Sequence, residues 1–264
     1  MRIFIITMDD PVYTVPFIKE IINARHKDVI GVATSKGDRM LIGKKRSPLV
    51  YLLSLLLIMG PVSFLQHVVV TITFKIRKKL SKIFSFITSP SVLAKAASYN
   101  IPVFDITTPN SKDFISTLKA LRPDVIINQS QSIIKKELLA IPTIGTINRH
   151  NALLPKNRGR LTPFWVLFHK EKETGVSIHF VTEGIDAGEI IVQAKFDVSP
   201  RETFNSLVRK NYVVAPKAML KALEFLEAGD YTLLPNDDSK ATYNSVPTFN
   251  DALNYRLNQI KKIF

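Results

Sequence analysis

Short β-branched runs alternate with stretches of helical periodicity along most of the chain. Residues 2–7 (RIFIIT) read as a buried strand, 17–24 as a helix, and 28–35 (DVIGVATS) as the next strand. The same pattern predicts a helix over 91–99, a strand over 103–106, a helix over 112–121 and a strand over 124–128 (DVIIN). A short helix at 135–140, a strand at 145–150 and a helix at 163–169 follow. Strands at 175–181 (GVSIHFV) and 189–196 then precede one long amphipathic helix over 203–227, with a stop at Gly229. Continuous apolar strands separated by helices need cover on both faces. The expectation is therefore an α/β domain built on a mostly parallel sheet with helices on both sides. This reading assigns 1–229 to one domain, with a helical insertion at 41–89, and 230–264 to a polar, turn-rich extension ending in a short basic helix.

The insertion breaks the alternation. It holds two apolar stretches, one from Pro48 to Met59 and one from Val62 to Phe74, separated by Gly60 and Pro61. Each is shorter than the ~20 residues a spanning helix needs, and Gly-Pro punctuation argues against one straight helix. Between Leu41 and Asn100 there is no Asp or Glu, against nine Lys or Arg. The net charge of +14 would ordinarily direct attention to nucleic acid. Here much of it flanks an apolar segment, at Lys44, Lys45 and Arg46 and again at Lys75, Arg77, Lys78, Lys79 and Lys82. The expectation is a hairpin that dips into, or lies on, the cytoplasmic leaflet of a membrane, making the protein peripheral on the inner face. Packing on the protein itself, or against a second copy in a homodimer, is the alternative. The absence of cysteine excludes disulfides, thiolate metal sites and a Cys nucleophile, and fits a reducing cytoplasmic compartment. The first apolar run is too short for a signal peptide.

Candidate chemistry sits in two stretches. On the strand 145–150, Asn148 and His150 are two apart and share a face. An amide that can donate to a developing oxyanion thus lies beside an imidazole that can move a proton near neutral pH. Arg149 points to the opposite face. Asp186 falls in a Gly-flanked loop between two strands, from which its carboxylate can reach a neighbouring site.

The two stretches together resemble the formyltransferase family, which includes methionyl-tRNA, glycinamide ribonucleotide and sugar N-formyltransferases. Its pattern is Asn-x-His-x-x-Leu-Leu-Pro-x-x-Arg-Gly, then Thr-Gly-Val-x-x-His, then Asp-x-Gly. The chain carries Asn148, His150, Leu153, Leu154, Pro155, Arg158 and Gly159, then Thr174, Gly175, Val176 and His179, then Asp186 and Gly188. The resemblance implies a Rossmann-like domain and formyl transfer from 10-formyltetrahydrofolate to an amine, without a metal. Asn148 and His150 would hold the oxyanion, and Asp186 would orient His150 and relay the proton. It further implies folate contacts from Ser130, Gln131, Ser132, Ile133 and Ile134, from Leu154, Pro155, Arg158 and Gly159, and from Glu183, Gly184 and Ile185. Arg149, Asn151 and Ala152 depart from the commoner family residues, which bears on the acceptor more than on the chemistry.

An amino sugar, nucleotide-activated or lipid-linked, is the acceptor expected from the sequence. Only about 35 residues follow the long helix, where the tRNA enzymes carry a further domain, so methionyl-tRNA stands second. Hydrolysis of the formyl-folate, and a catalytically silent membrane-associated module, are the remaining readings.

Overall fold

Alternate residues of the first strand enter two different cores, and this divides the molecule into layers. Strand β1 (Ile3–Thr7) sends Ile3 and Ile5 to one side of the sheet and Phe4 and Ile6 to the other. The computed structural model describes residues 1–35, 47–229 and 231–261. After β1 come α1 (Thr14–Arg25), β2 (Val29–Ser35), α2 (Pro48–Met59), α3 (Pro61–Leu80) and α4 (Val92–Ala97). Then follow β3 (Val103–Ile106), α5 (Lys112–Leu121), β4 (Val125–Asn128), α6 (Lys136–Leu139) and β5 (Gly145–His150). The chain continues through β6 (Arg158–Gly159), α7 (Thr162–Phe168), β7 (Glu173–Phe180), β8 (Ile190–Asp197) and α8 (Phe204–Ala228). Strand β9 (Tyr243–Asn244) and helix α9 (Phe249–Lys261) complete the described elements.

Seven strands form one sheet in the order β3-β2-β1-β4-β5-β7-β8. The first five in that order run parallel, whereas β7 and β8 pair antiparallel with their neighbours. Helices α1, α4 and α8 cover the Ile3 side through Ile18, Ile22, Ala96, Met219 and Leu223. Helices α5 and α6 cover the Phe4 side through Phe114, Leu118 and Leu138. The expected α/β architecture with helices on both faces is therefore present.

The insertion forms two helices bent by 120° at Gly60, and among the described residues no single helix is long and apolar enough to cross a membrane. Ile58 of α2 joins a third core with Phe164 of α7, Phe204 of α8, and Ala252 and Tyr255 of α9. Arg256 of α9 clamps α2 by donating from Nε to the Leu57 carbonyl at 2.7 Å. Residues 41–46 of the insertion, with the basic cluster Lys44 to Arg46, lie outside the described residues.

The segment after α8 returns over the main body. Leu234 bridges to Ile190, and β9 pairs in parallel with β6. Sequence periodicity holds no sign of that second, two-stranded sheet, because each of its strands is two residues long.

Candidate active site

Strand order reverses between β1 and β4, and the carboxyl ends of parallel strands diverge at such a switch point to leave a crevice. A cavity of about 590 Å³ occupies it. Met8 and Asp10 line it after β1, Gln129, Ser130 and Gln131 after β4, and Asn148 and His150 at the end of β5. The wall opposite is the insertion, through Tyr51 and Leu55 of α2 and Phe64, His67, Val68 and Thr71 of α3.

Asn148 is oriented by a neighbour on the adjacent strand end. Gln129 Nε2 donates to the Asn128 carbonyl at 2.8 Å and to Asn148 Oδ1 at 2.6 Å. A carbonyl only accepts, so the Gln129 amide has one possible orientation, and Asn148 must show it oxygen. The NH2 end of Asn148 is left to the cavity. Gln129 had no role in the sequence reading; its one signal was its position directly after a buried strand.

His150, Asp186 and His179 form the buried polar centre. His150 is 5 % exposed, and its Nε2 faces the Asn157 carbonyl at 2.8 Å, so Nε2 carries the hydrogen. In the neutral ring Nδ1 is then the basic atom, and it lies 3.4 Å from Asp186 Oδ2. On β7, His179 pairs in register with Asn148. Its Nδ1 donates to the Phe180 carbonyl at 2.8 Å, and its Nε2 lies 3.6 Å from Asp186 Oδ1. One carboxylate thus sits between two imidazoles, each presenting the nitrogen that holds no hydrogen in the neutral ring. A proton arriving at this centre enters between an imidazole and an anion.

Burial would raise the Asp186 carboxyl, but the two histidines, the Gly159 N–H and Arg158 outweigh it and hold the group below the usual carboxylate range. Burial has the opposite consequence for His179. It lowers the imidazole from 6.5 to about 4, against the pull of Asp186.

A histidine whose folded value lies below its unfolded value binds its proton in the unfolded chain first, so stability falls as pH drops from 6.5 towards 4. Asp186 acts in the same direction at lower pH, since its stabilisation is present above the unfolded carboxylate value and is lost as pH falls through the depressed one. Denaturant melts between pH 7 and 4 should show a loss on the order of 3 kcal/mol from His179. His179→Gln should flatten the profile between pH 6.5 and 4; an unchanged acid limb would rule out His179 as its source.

Asp186 is positioned from two sides, by β6 and by the segment after α8. It adopts a left-handed backbone (φ 48°), and its Oδ2 accepts from the Gly159 N–H at 2.9 Å. The Asn236 amide donates to the Asp186 and Gly188 carbonyls at 2.8 and 2.7 Å, pinning the loop from the other side. Asn236 is itself held by Arg158 Nη2, while Arg158 Nη1 donates to Asp238 and Tyr243. Arg158 is fully buried and lies outside the cavity lining, as a strut for the C-terminal segment.

Of the residues expected at the folate, Ser130, Gln131 and Gly159 line the cavity. Ser132, Ile133, Glu183, Gly184 and Ile185 are part-exposed or exposed and lie outside that lining, while Ile134 is buried against α6. Leu154 is buried and Pro155 half-buried, in the turn that follows β5. Arg149 lies between the rings of Phe17 and Tyr212, at 4.4 and 4.6 Å from their centroids, and donates to the Tyr212 hydroxyl at 3.0 Å. It fixes the end of β5 to α1 and α8. Among the described residues no group of three His, Cys, Asp or Glu could hold a metal ion.

Comparison with known proteins follows the same lines. The chain is 33 % identical over 170 residues to the methionyl-tRNA formyltransferase of Kosmotoga olearia, covering 64 % of this chain and 55 % of that one. It is 35 % identical over 153 residues to the Thermotoga maritima enzyme of the same name, covering 58 % and 49 %. The chain therefore spans about half the length of the curated relatives it matches. Its fold resembles glycinamide ribonucleotide transformylase 1 from Symbiobacterium toebii (TM-score 0.61, 16 % identity, 89 % of this chain and 92 % of that one). It also resembles a sugar N-formyltransferase from Shewanella (TM-score 0.59, 16 % identity, 97 % and 88 %). The profile described as formyl transferase matches residues 54–223, well over half of the chain and the whole of the Asn148–Asp186 constellation, and the protein belongs to that family.

Proposed function

We propose that the protein transfers a formyl group from 10-formyltetrahydrofolate to a primary amine. One observation carries the reading: the NH2 of Asn148, Nδ1 of His150 and the ionised Asp186 converge at one switch-point crevice. The crevice has the size of a small-molecule site, and the strand-end residues Ser130 and Gln131 offer it polar groups. Two proteins of similar fold support the choice of donor. They were solved with 5-N-formyltetrahydrofolate and dTDP, and with folinic acid and dTDP-3-aminofucose.

In this reading the amine lone pair adds to the formyl carbon, and the carbonyl π electrons move onto oxygen. Asn148 donates to that oxygen, where charge develops. His150 takes a proton from the amine nitrogen at Nδ1, and Asp186 faces the resulting imidazolium. The bond from carbon to the folate nitrogen then breaks, and that nitrogen leaves with a proton returned by His150. The products are an N-formyl amine and tetrahydrofolate, with no oxidant or reductant required.

The acceptor is the finer question. The relatives at 33–35 % identity are methionyl-tRNA formyltransferases, and this favours the α-amine of methionyl-tRNA over the amino sugar expected from the sequence. The amino-sugar reading is supported by fold likeness at 16–18 % identity. Tetrahydrofolate release should be followed with methionyl-tRNA, with amino-sugar nucleotides and with no amine. Turnover with one acceptor, reduced about a thousandfold in His150→Ala, is the expected result. Formate release without any amine would instead make the protein a hydrolase, and failure to bind the folate would overturn the proposal.

A further inference from the structure

Helix α3 is built the wrong way round for a surface helix in water. Its protein-facing side carries Phe64, His67, Val68 and Thr71 on the cavity, then Phe74 on the core and Lys78 paired with Asp9. Its outward side carries Val62, Leu65, Val69, Ile72 and Ile76, spaced three and four apart in one stripe. Val62, Leu65, Val69 and Ile76 are 69, 62, 50 and 53 % exposed. No residue of α3 is fully buried, although it is 20 residues long. Leu49, Val50 and Leu53 at the start of α2, and Ile83, Phe84 and Phe86 beyond α3, are exposed apolar residues as well. Lys75, Arg77, Lys79 and Lys82 are exposed in the last turns of α3 and just beyond it, with Lys75 and Arg77 on opposite flanks of the stripe, and there is no Asp or Glu anywhere from 41 to 100.

We propose that α2, α3 and the segment through Phe86 seat the protein on an anionic lipid bilayer, with the mouth of the active-site cavity at the headgroups. A bilayer is the partner that satisfies both halves of the observation. Apolar side chains enter the acyl boundary while cations beside them meet anionic headgroups. A second copy of the chain would cover the apolar stripe, but it would also bring together two sets of the cations that flank it, with no acidic residue on either insertion to offset them. Nucleic acid would use the cations and leave the stripe in water. The mouth is placed by Leu52 and Ile72, which line the cavity and yet are 48 and 51 % exposed. They are therefore at its rim, and Ile72 belongs to the exposed stripe of α3.

Sedimentation of the full chain with vesicles tests this without reference to catalysis. Vesicles of phosphatidylcholine with phosphatidylglycerol should carry the protein down, and phosphatidylcholine alone should bind it at least about tenfold more weakly, as should raised salt. A variant with Val62→Ser, Leu65→Ser, Val69→Ser and Ile76→Ser should lose vesicle binding while melting as the parent does, since none of the four is buried or in the cavity lining. Lys75→Gln with Lys79→Gln and Lys82→Gln should lose only the preference for anionic lipid. A lipid-free dimer that the serine variant dissociates, with no vesicle binding, would overturn the proposal in favour of self-association. RNA binding lost in the glutamine variant alone, with no vesicle binding, would overturn it in favour of a nucleic acid.

Discussion

Asp186→Asn is expected to melt close to the parent chain while releasing tetrahydrofolate about a thousandfold more slowly. The carboxylate uses Oδ2 to accept from the Gly159 N–H, and an amide oxygen can do the same. The introduced NH2 then falls where Oδ1 was, facing His179 Nε2, which is buried and has no hydrogen-bond partner. Giving that acceptor a donor contributes about 1 kcal/mol, which offsets the stabilisation lost with the ionised carboxylate. What the variant lacks is the negative charge opposite His150 Nδ1 at the moment a proton arrives there. Thermal melts beside steady-state rates separate the two effects. A variant that unfolds would show Asp186 to be structural, and one with parental turnover would remove it from the proton path.

Gly159→Ala should cost about 3 kcal/mol or more and take activity with it. Gly159 has φ 103°, and a Cβ there would lie 2.2 Å from the Asn244 carbonyl oxygen, a backbone atom that cannot swing away. Relief requires β6 and β9 to part, and the N–H that holds Asp186 moves with them. Gly229 provides the comparison. It also has positive φ, at 70°, but nothing lies within 4 Å of an added Cβ, so Gly229→Ala should cost only about 1 kcal/mol. Denaturant titrations of the two variants isolate the collision from the backbone preference. Equal costs would show that β6–β9 pairing yields freely.

The layers of the fold were readable because each rests on a local period. Phe4 and Ile6 alternate with Ile3 and Ile5, and the amphipathic pattern before Gly229 describes one helix whose cap is that glycine. Asn148 and His150 were readable because a separation of two on a strand fixes a shared face. Three features were not. The antiparallel setting of β7 and β8 is a matter of chain path, on which strand composition is silent. Gln129 acts through a hydrogen bond to a neighbouring strand, and such register appears only once the strands are paired. Arg158 belongs to the same motif as His150, yet its partners are Asn236, Asp238 and Tyr243, some 80 residues later. A motif records that residues occur together; their partners depend on contacts across the fold.

That distance has a consequence for synthesis. A chain growing from its amino terminus delivers every strand of the large sheet, and α8 behind it, before Asn236 and Asn244 exist. The nascent protein can therefore bury most of the two cores that flank the large sheet while the loop bearing Asp186 still lacks its clamp and Gly159 its partner strand; the third core waits for Ala252 and Tyr255. His150 and Asn148 are set early, with β5, and the acid that serves them is set last. Chain order thus directs the assembly of the site: a chain ending before Asn236 has every strand of the large sheet and α8 but no clamp on Asp186.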